Sequence, residues 1–199
     1  MANKARELEQ RLERTDQELR LLQRISRYLS TDRNIGSALD SIVSLVVEFT
    51  SCDSCLVYFL ENKELVLCAA SGESKQDSLG TIRLRVEEGL TGWVARENKF
   101  LALSCDAYND PRFKSFSELV EDTYEAFLSA PIVARGKVVG VINVQHRQPH
   151  NHSGDEMELI STIAQLIGCL AQVVHTNPDT LDMSATVKMA LSRAVARHH

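Results

Sequence analysis

The chain has 199 residues, 44% hydrophobic and 25% charged, enough for one filled core with extensions. A net charge of −5 and a pI of about 5.7 exclude a general electrostatic pull towards nucleic acid or anionic membrane. No apolar run reaches the roughly 18 residues of a membrane helix, and the opening MANKARELEQ lacks a signal peptide's apolar core. The expectation is a cytoplasmic protein with neither nucleic-acid nor membrane partners.

Residues 3–30 hold no Gly or Pro and predict one long helix. A 3-4 spacing puts Leu8, Leu12, Thr15, Leu19, Leu22, Ser26 and Leu29 on one stripe, as in the a/d seam of a coiled coil. Glu7 with Arg11 and Asp16 with Arg20 are favourably ordered i,i+4 pairs. Such a narrow stripe reads as a parallel dimer helix, with a solvated helix lying on its own domain as the plainer reading. Residues 30–33 break the pattern, and Asp32 or Asn34 can cap a second helix over 35–49. Its apolar face, Ile35, Ala38, Leu39, Ile42, Leu45, Val46 and Phe49, is as wide as packing on a sheet requires.

Strands are predicted over 54–60 and 65–70, joined by the polar turn Glu61-Asn62-Lys63-Glu64. Residues 71–78 read as loop, and 81–86 alternate with Ile82, Leu84 and Val86 inward. A short helix opens at Gly89, a short strand covers 100–105, and the long polar passage 106–124 follows. Connections of that length are usually functional or flexible. Residues 125–145, EAFLSAPIVARGKVVGVINVQ, then read as a hairpin at the centre of an antiparallel sheet, with Gly136 taking a positive φ in its turn. The last long helix, 154–174, starts near Ser153 or Asp155 and carries two apolar stripes. Met157, Ile160, Ala164, Ile167, Ala171 and Val174 form one; Leu159, Ile163, Leu166, Leu170 and Val173 form the other. One stripe packs on the sheet, and the second calls for another helix, from this chain or a second copy. Asn177-Pro178-Asp179 stops the helix, and 180–199 is a weakly amphipathic tail. Three units are expected: a signalling helix (1–33), a domain (34–176) and a tail or linker helix (177–199).

Four segments in register, CDSCLVYFL at Cys52, LRVEEGLTGWVA at Leu84, DAYNDPRF at Asp106 and the hairpin at Glu125, resemble those of a GAF domain over about residues 35–174. The wording is most similar to GAF domains of nitrogen-type phosphoenolpyruvate–protein phosphotransferases and of nitrogen-fixation activators. The resemblance implies an α+β, PAS-related fold with a central antiparallel sheet, dimer helices on one face and a loop-covered pocket on the other. It also implies a bacterial sensor of a small molecule, acting as a homodimer and signalling to an output partner. Dimer-interface candidates are Leu12, Leu19, Leu22, Leu159, Ile163, Leu166 and Leu170. Ligand candidates are Trp93, Asp106, Phe113, Phe116, Asp122, Phe127, Ser129 and Asn143.

Each candidate also has a plain packing reading: Phe113 and Phe116 can plug the loop onto the core, and Trp93 can anchor a core. The glycines beside Trp93 can instead open a helix start towards an anion. Strand alternation puts Phe127 with Ser129, and Asn143 with Gln145, on single faces; which face holds the pocket is not fixed by the pattern. Cyclic-nucleotide-binding GAF domains carry a similar DPRF segment, but their further signature departs here in spacing, with Glu121-Asp122 reversed. The ligand and any cofactor therefore stay unassigned.

Five cysteines without a secretion signal argue against a disulfide framework. Cys52 and Cys55 spell C-x2-C, but no second ligand pair follows, so core packing is expected and no metal. His146, His150 and His152 are read as a solvated loop lacking carboxylate partners at ligand spacing. No P-loop or Ser-His-Asp arrangement is present. A free methionine sulfoxide reductase needs paired loop cysteines, and only Cys105 borders the loop. The expectation is a non-enzymatic sensor, with a ligand-free dimerisation scaffold and the reductase as alternatives.

Overall fold

In the computed structural model, which describes residues 2–31, 35–71, 78–113 and 124–176, six strands form one antiparallel sheet. Strands β1 (Ser54–Glu61) and β2 (Glu64–Ala70) form a hairpin, and β3 (Arg83–Arg85) pairs with β2. Strands β4 (Leu101–Leu103), β5 (Ala126–Ala134) and β6 (Lys137–His146) complete the order β3-β2-β1-β6-β5-β4. The predicted hairpin is thus β5–β6, and the midline of the sheet falls between β6 and β1. Both hairpins turn through two residues of positive φ, Asn62 with Lys63 and Arg135 with Gly136. Two such residues match the turn to the right-handed twist of the strands; the sequence pointed to Gly136 alone.

Two apolar layers flank the sheet because its strands alternate. Leu128, Ala130, Ile142 and Val144 face helices α1 (Ala2–Thr31), α2 (Ile35–Thr50) and α4 (Gly154–Thr176). Phe127 and Val141 face the other way, towards α3 (Gly89–Glu97). A register shift beyond Ile132 leaves Val139 as an extra residue in β6 and turns it to the helical layer. Against that layer α4 lies so close that a Cβ on Gly168 would sit 2.2 Å from the Val133 carbonyl oxygen.

Two expectations for the helices change. Helix α1 docks through Leu21 and Ile25, which lie off the predicted stripe and are buried in the helical layer. Burying those two side chains gives α1 a foothold the stripe alone lacks, since each fully buried aliphatic side chain contributes roughly 1.5–3 kcal/mol. The stripe itself stays outside as far as Leu19: Leu8, Leu12 and Leu19 are 59, 72 and 53% exposed, while Leu22 is half-buried. In α4 the second stripe is already covered within one chain from Leu159 to Leu170. Leu159, Ile163 and Leu170 are buried and Leu166 half-buried, so these positions complete the core of this chain and do not present a free seam. Arg24 pairs with Glu48 across α1 and α2, and Arg14 donates to Ser153 Oγ (3.1 Å) just before α4. No described helix is long and apolar enough to cross a membrane.

Candidate functional site

The α3 face carries the residues singled out by strand alternation. Ser129 and Asn143 sit opposite each other on β5 and β6, both fully buried. Ser129 Oγ donates to Asn143 Oδ1 (2.7 Å), and Asn143 Nδ2 donates to Thr91 Oγ1 (2.8 Å) on α3. This chain of three side chains crosses from the sheet to the helix above it. Around it lies an apolar wall including Tyr58, Leu90, Val94, Leu101, Ala107 and Phe127. Burial pushes the Tyr58 hydroxyl far above its ordinary range, and nearby Tyr124 adds to the shift, so Tyr58 stays protonated. Thr91, Tyr58 and Tyr124 were not singled out from the sequence. Thr91 stands in the quoted LRVEEGLTGWVA segment, and its spacing of one turn before Ala95 on the buried side of α3 was the available signal.

Trp93 is half-buried on the same layer, and the Arg112 guanidinium lies over its ring at 4.8 Å. Arg112 is itself clamped to Asp110, donating from Nε at 2.8 Å and from Nη2 at 2.7 Å, while its backbone N–H donates to the same carboxylate at 2.9 Å. Those hydrogen bonds hold the Asp110 carboxyl below its usual range. The DPRF segment is therefore a strap: Asp110 and Arg112 lock each other, Arg112 caps Trp93, and half-buried Phe113 packs on the apolar wall. Trp93 is thus packed between this layer and the Arg112 guanidinium. At Gly92 an added Cβ would meet the Arg85 carbonyl at 2.7 Å, so glycine there permits close packing of α3.

Asp106 does not join this wall. Its side chain is exposed and accepts from Asn109 Nδ2 (3.4 Å), while its backbone N–H donates to Glu125 Oε2 (3.0 Å). Phe127 is buried in the wall as expected of its strand position. Phe116 and Asp122 lie outside the described residues, as does the tail from 177 onward. Phe127, Ser129, Asn143 and Gln145 share the α3 side, which settles the face on which these candidates meet.

All five cysteines are free thiols. Cys52, Cys55 and Cys68 are buried in the helical layer, whereas Cys105 and Cys169 are exposed. Burial raises the Cys55 thiol well above its ordinary value, with Cys52 adding, and drives Cys68 up to about 12, so these behave as small apolar fillers.

The histidines depart from expectation. His146 is the last residue of β6, and it and His152 are buried with Glu156 in the first turn of α4. His150 Nε2 lies 3.0 Å from Glu156 Oε2, and His152 Nδ1 lies 3.4 Å from Glu156 Oε1. The His146 and His150 rings stack at 3.9 Å. So the loop is not simply solvated, and a carboxylate partner is present; it comes from the helix start, four residues after His152. Ser153 caps α4 by accepting from the Glu156 N–H (3.1 Å), which leaves the Glu156 carboxylate free to turn to the imidazoles. Burial would raise the Glu156 carboxyl, but hydrogen bonds from His152 and His150 outweigh it and bring it down to about 2. Burial, then the neighbouring His150 and His152, lowers His146 and favours its neutral imidazole.

A six-stranded antiparallel sheet with α1, α2 and α4 on one face and α3 with its strap on the other defines the class. Residues 34–169 match the GAF domain family, and the chain belongs to it. It is similar to the Nif-specific regulatory protein of Azospirillum lipoferum, 25% identical over an alignment of 179 residues that covers 86% of this chain and 28% of that protein. It is 28% identical over 155 residues to the phosphoenolpyruvate-dependent phosphotransferase system protein of Escherichia coli K12, covering 77% of this chain and 20% of that one. The GAF domain of a phosphoenolpyruvate-protein phosphotransferase from Coxiella burnetii superposes with a TM-score of 0.75 at 26% identity, over 81% of this chain and 96% of that domain. The chain thus spans less than a third of the curated relatives it matches.

Proposed function

We propose that this chain is the sensing part of a cytoplasmic regulator: it binds a small molecule on the α3 face, catalyses nothing, and passes the bound state to an output partner through the helices of a homodimer. The observation that carries this reading is the buried Ser129–Asn143–Thr91 chain inside an apolar wall. Polar groups are costly to bury, and apolar side chains would fill the same space without that cost. A few placed polar groups in an apolar enclosure are what a small-molecule site requires. A ligand that replaced the Thr91 contact to Asn143 would release α3 and the strap resting on Trp93. Because β5 and β6 also form the floor under α4, that change would reach α4 and α1 on the opposite face. The relatives support a regulatory role, and the exposed Leu8, Leu12 and Leu19 on α1 support a seam with a second copy.

The competing reading is a dimerisation scaffold, favoured by the extent to which Tyr58, Phe127, Leu101 and Val94 already fill the wall. A thermal-shift panel of cyclic nucleotides, amino acids and 2-oxoacids separates the two. Sensing predicts at least one compound that raises the Tm of the wild type, with a smaller rise in Thr91→Val. A panel that leaves the wild type unmoved favours the scaffold.

A further inference from the structure

We propose that His146, His150, His152 and Glu156 form a binding site for a late first-row divalent cation, Zn²⁺ above all, at the joint between the end of β6 and the start of α4. Among the described residues this is the one group of three or more metal-ligating side chains, and one ligand atom from each lies within 4.8 Å of the others. A tetrahedral ion with bonds of about 2.0–2.2 Å needs its donors roughly 3.4 Å apart, so the widest pair must close by up to about 1.4 Å. The connection between strand and helix can absorb that, since His150 is carried on it and is only half-buried.

Two further observations point to a ligand. His146 Nε2 and His152 Nε2 are buried with no hydrogen-bond partner, although both residues are only 7% exposed. A buried imidazole nitrogen left unpaired is costly, and two in one cluster leave a shared deficit that one ion would relieve. The His146 and His150 rings also stack at 3.9 Å, and His150 lies 4.9 Å from His152, so three imidazoles crowd one carboxylate. Imidazole nitrogen with one carboxylate oxygen is a donor set for Zn²⁺ and its neighbours, whereas Mg²⁺ and Ca²⁺ favour all-oxygen sets. The site faces the helical layer, away from the Ser129–Asn143–Thr91 chain, and is independent of the ligand reading. Its position gives it a consequence: Ser153, between His152 and Glu156, accepts from Arg14 of α1 at 3.1 Å. A cation here would fix the start of α4 to β6 at the point where α1 touches it.

The test is calorimetric titration of the chelator-treated full chain with ZnCl₂, paired with Tm against Zn²⁺ concentration. The wild type is expected to bind one equivalent and gain in Tm, and His150→Ala and Glu156→Gln to weaken binding at least tenfold. Both replacements are scored only where circular dichroism matches the metal-free wild type. His152→Gln, which keeps a polar side chain of similar reach, supplies a third variant. The chain's other histidines, His175, His198 and His199, are replaced together by alanine as a control that should bind as the wild type does. Wild-type binding that vanishes in this control but survives in the site variants would overturn the proposal, as would no binding by the wild type at all.

Discussion

Asn143 spends both ends of its amide, accepting from Ser129 and donating to Thr91. Truncating it to alanine strands two hydroxyls in a dry layer, and each unsatisfied group costs roughly 1–3 kcal/mol. Urea unfolding should therefore show Asn143→Ala destabilised by about 2–4 kcal/mol, beyond the loss from Thr91→Val, which leaves only the Asn143 amide short of a partner. Replacing all three at once, Ser129→Ala with Asn143→Leu and Thr91→Val, should cost less than Asn143→Ala alone, because no polar group is left behind. Equal losses for the triple and the single variant would mean that cavity formation, not polarity, governs the site. At this scale strand alternation revealed the Ser129 and Asn143 positions, but not Thr91, which meets them only because α3 folds back over the sheet 52 positions away in sequence. The histidine spacing was equally visible. What hid its meaning was the fourth member, Glu156, whose carboxylate turns to the imidazoles only when β6 ends beside the first turn of α4.

Elements were legible where local chemistry decides them. Apolar runs bounded by polar turns became β1, β2, β5 and β6, with β6 the densest in β-branched residues, and Ser153 caps α4. Register was less accessible: the extra Val139 depends on how β6 meets β5, which no periodicity of one strand reveals. That α1 lies on its own domain was the plainer reading, but its docking residues escaped it: the charged residues and regular leucine stripe outweigh two side chains, Leu21 and Ile25, whose burial needs the surface made by α2 and α4. Gly168 is a second case in which packing overrides propensity. In an open helix, Gly→Ala gains about 1 kcal/mol. Here the new Cβ would meet the Val133 carbonyl oxygen at 2.2 Å, so α4 must lift from β5. Gly168→Ala is expected to lower stability by roughly 1–3 kcal/mol, whereas Gly154→Ala, with nothing within 4 Å of the added carbon, should be neutral or mildly stabilising in the same denaturation experiment. A Gly168→Ala protein as stable as the wild type would contradict the close approach of α4.

For the whole molecule, the sheet separates two sides: the α3 side, where the proposed ligand site lies, and a helical side from which α1 projects Leu8, Leu12 and Leu19. Leu12 and Leu19 are the most consequential of these, being exposed at a seven-residue interval on one stripe. Replacing both by glutamate should leave the fold intact and shift a dimer to monomer in sedimentation equilibrium; a wild type that is monomeric at high micromolar concentration would remove the homodimer from the proposal. Small-molecule binding on the α3 face is put to the proof by native mass spectrometry of the purified full chain. The expected result is a bound mass that leaves on denaturation and is retained less by Asn143→Ala than by the wild type. A mass equal to the polypeptide alone in every preparation, including those incubated with the cyclic nucleotide, amino acid and 2-oxoacid panel, would contradict it.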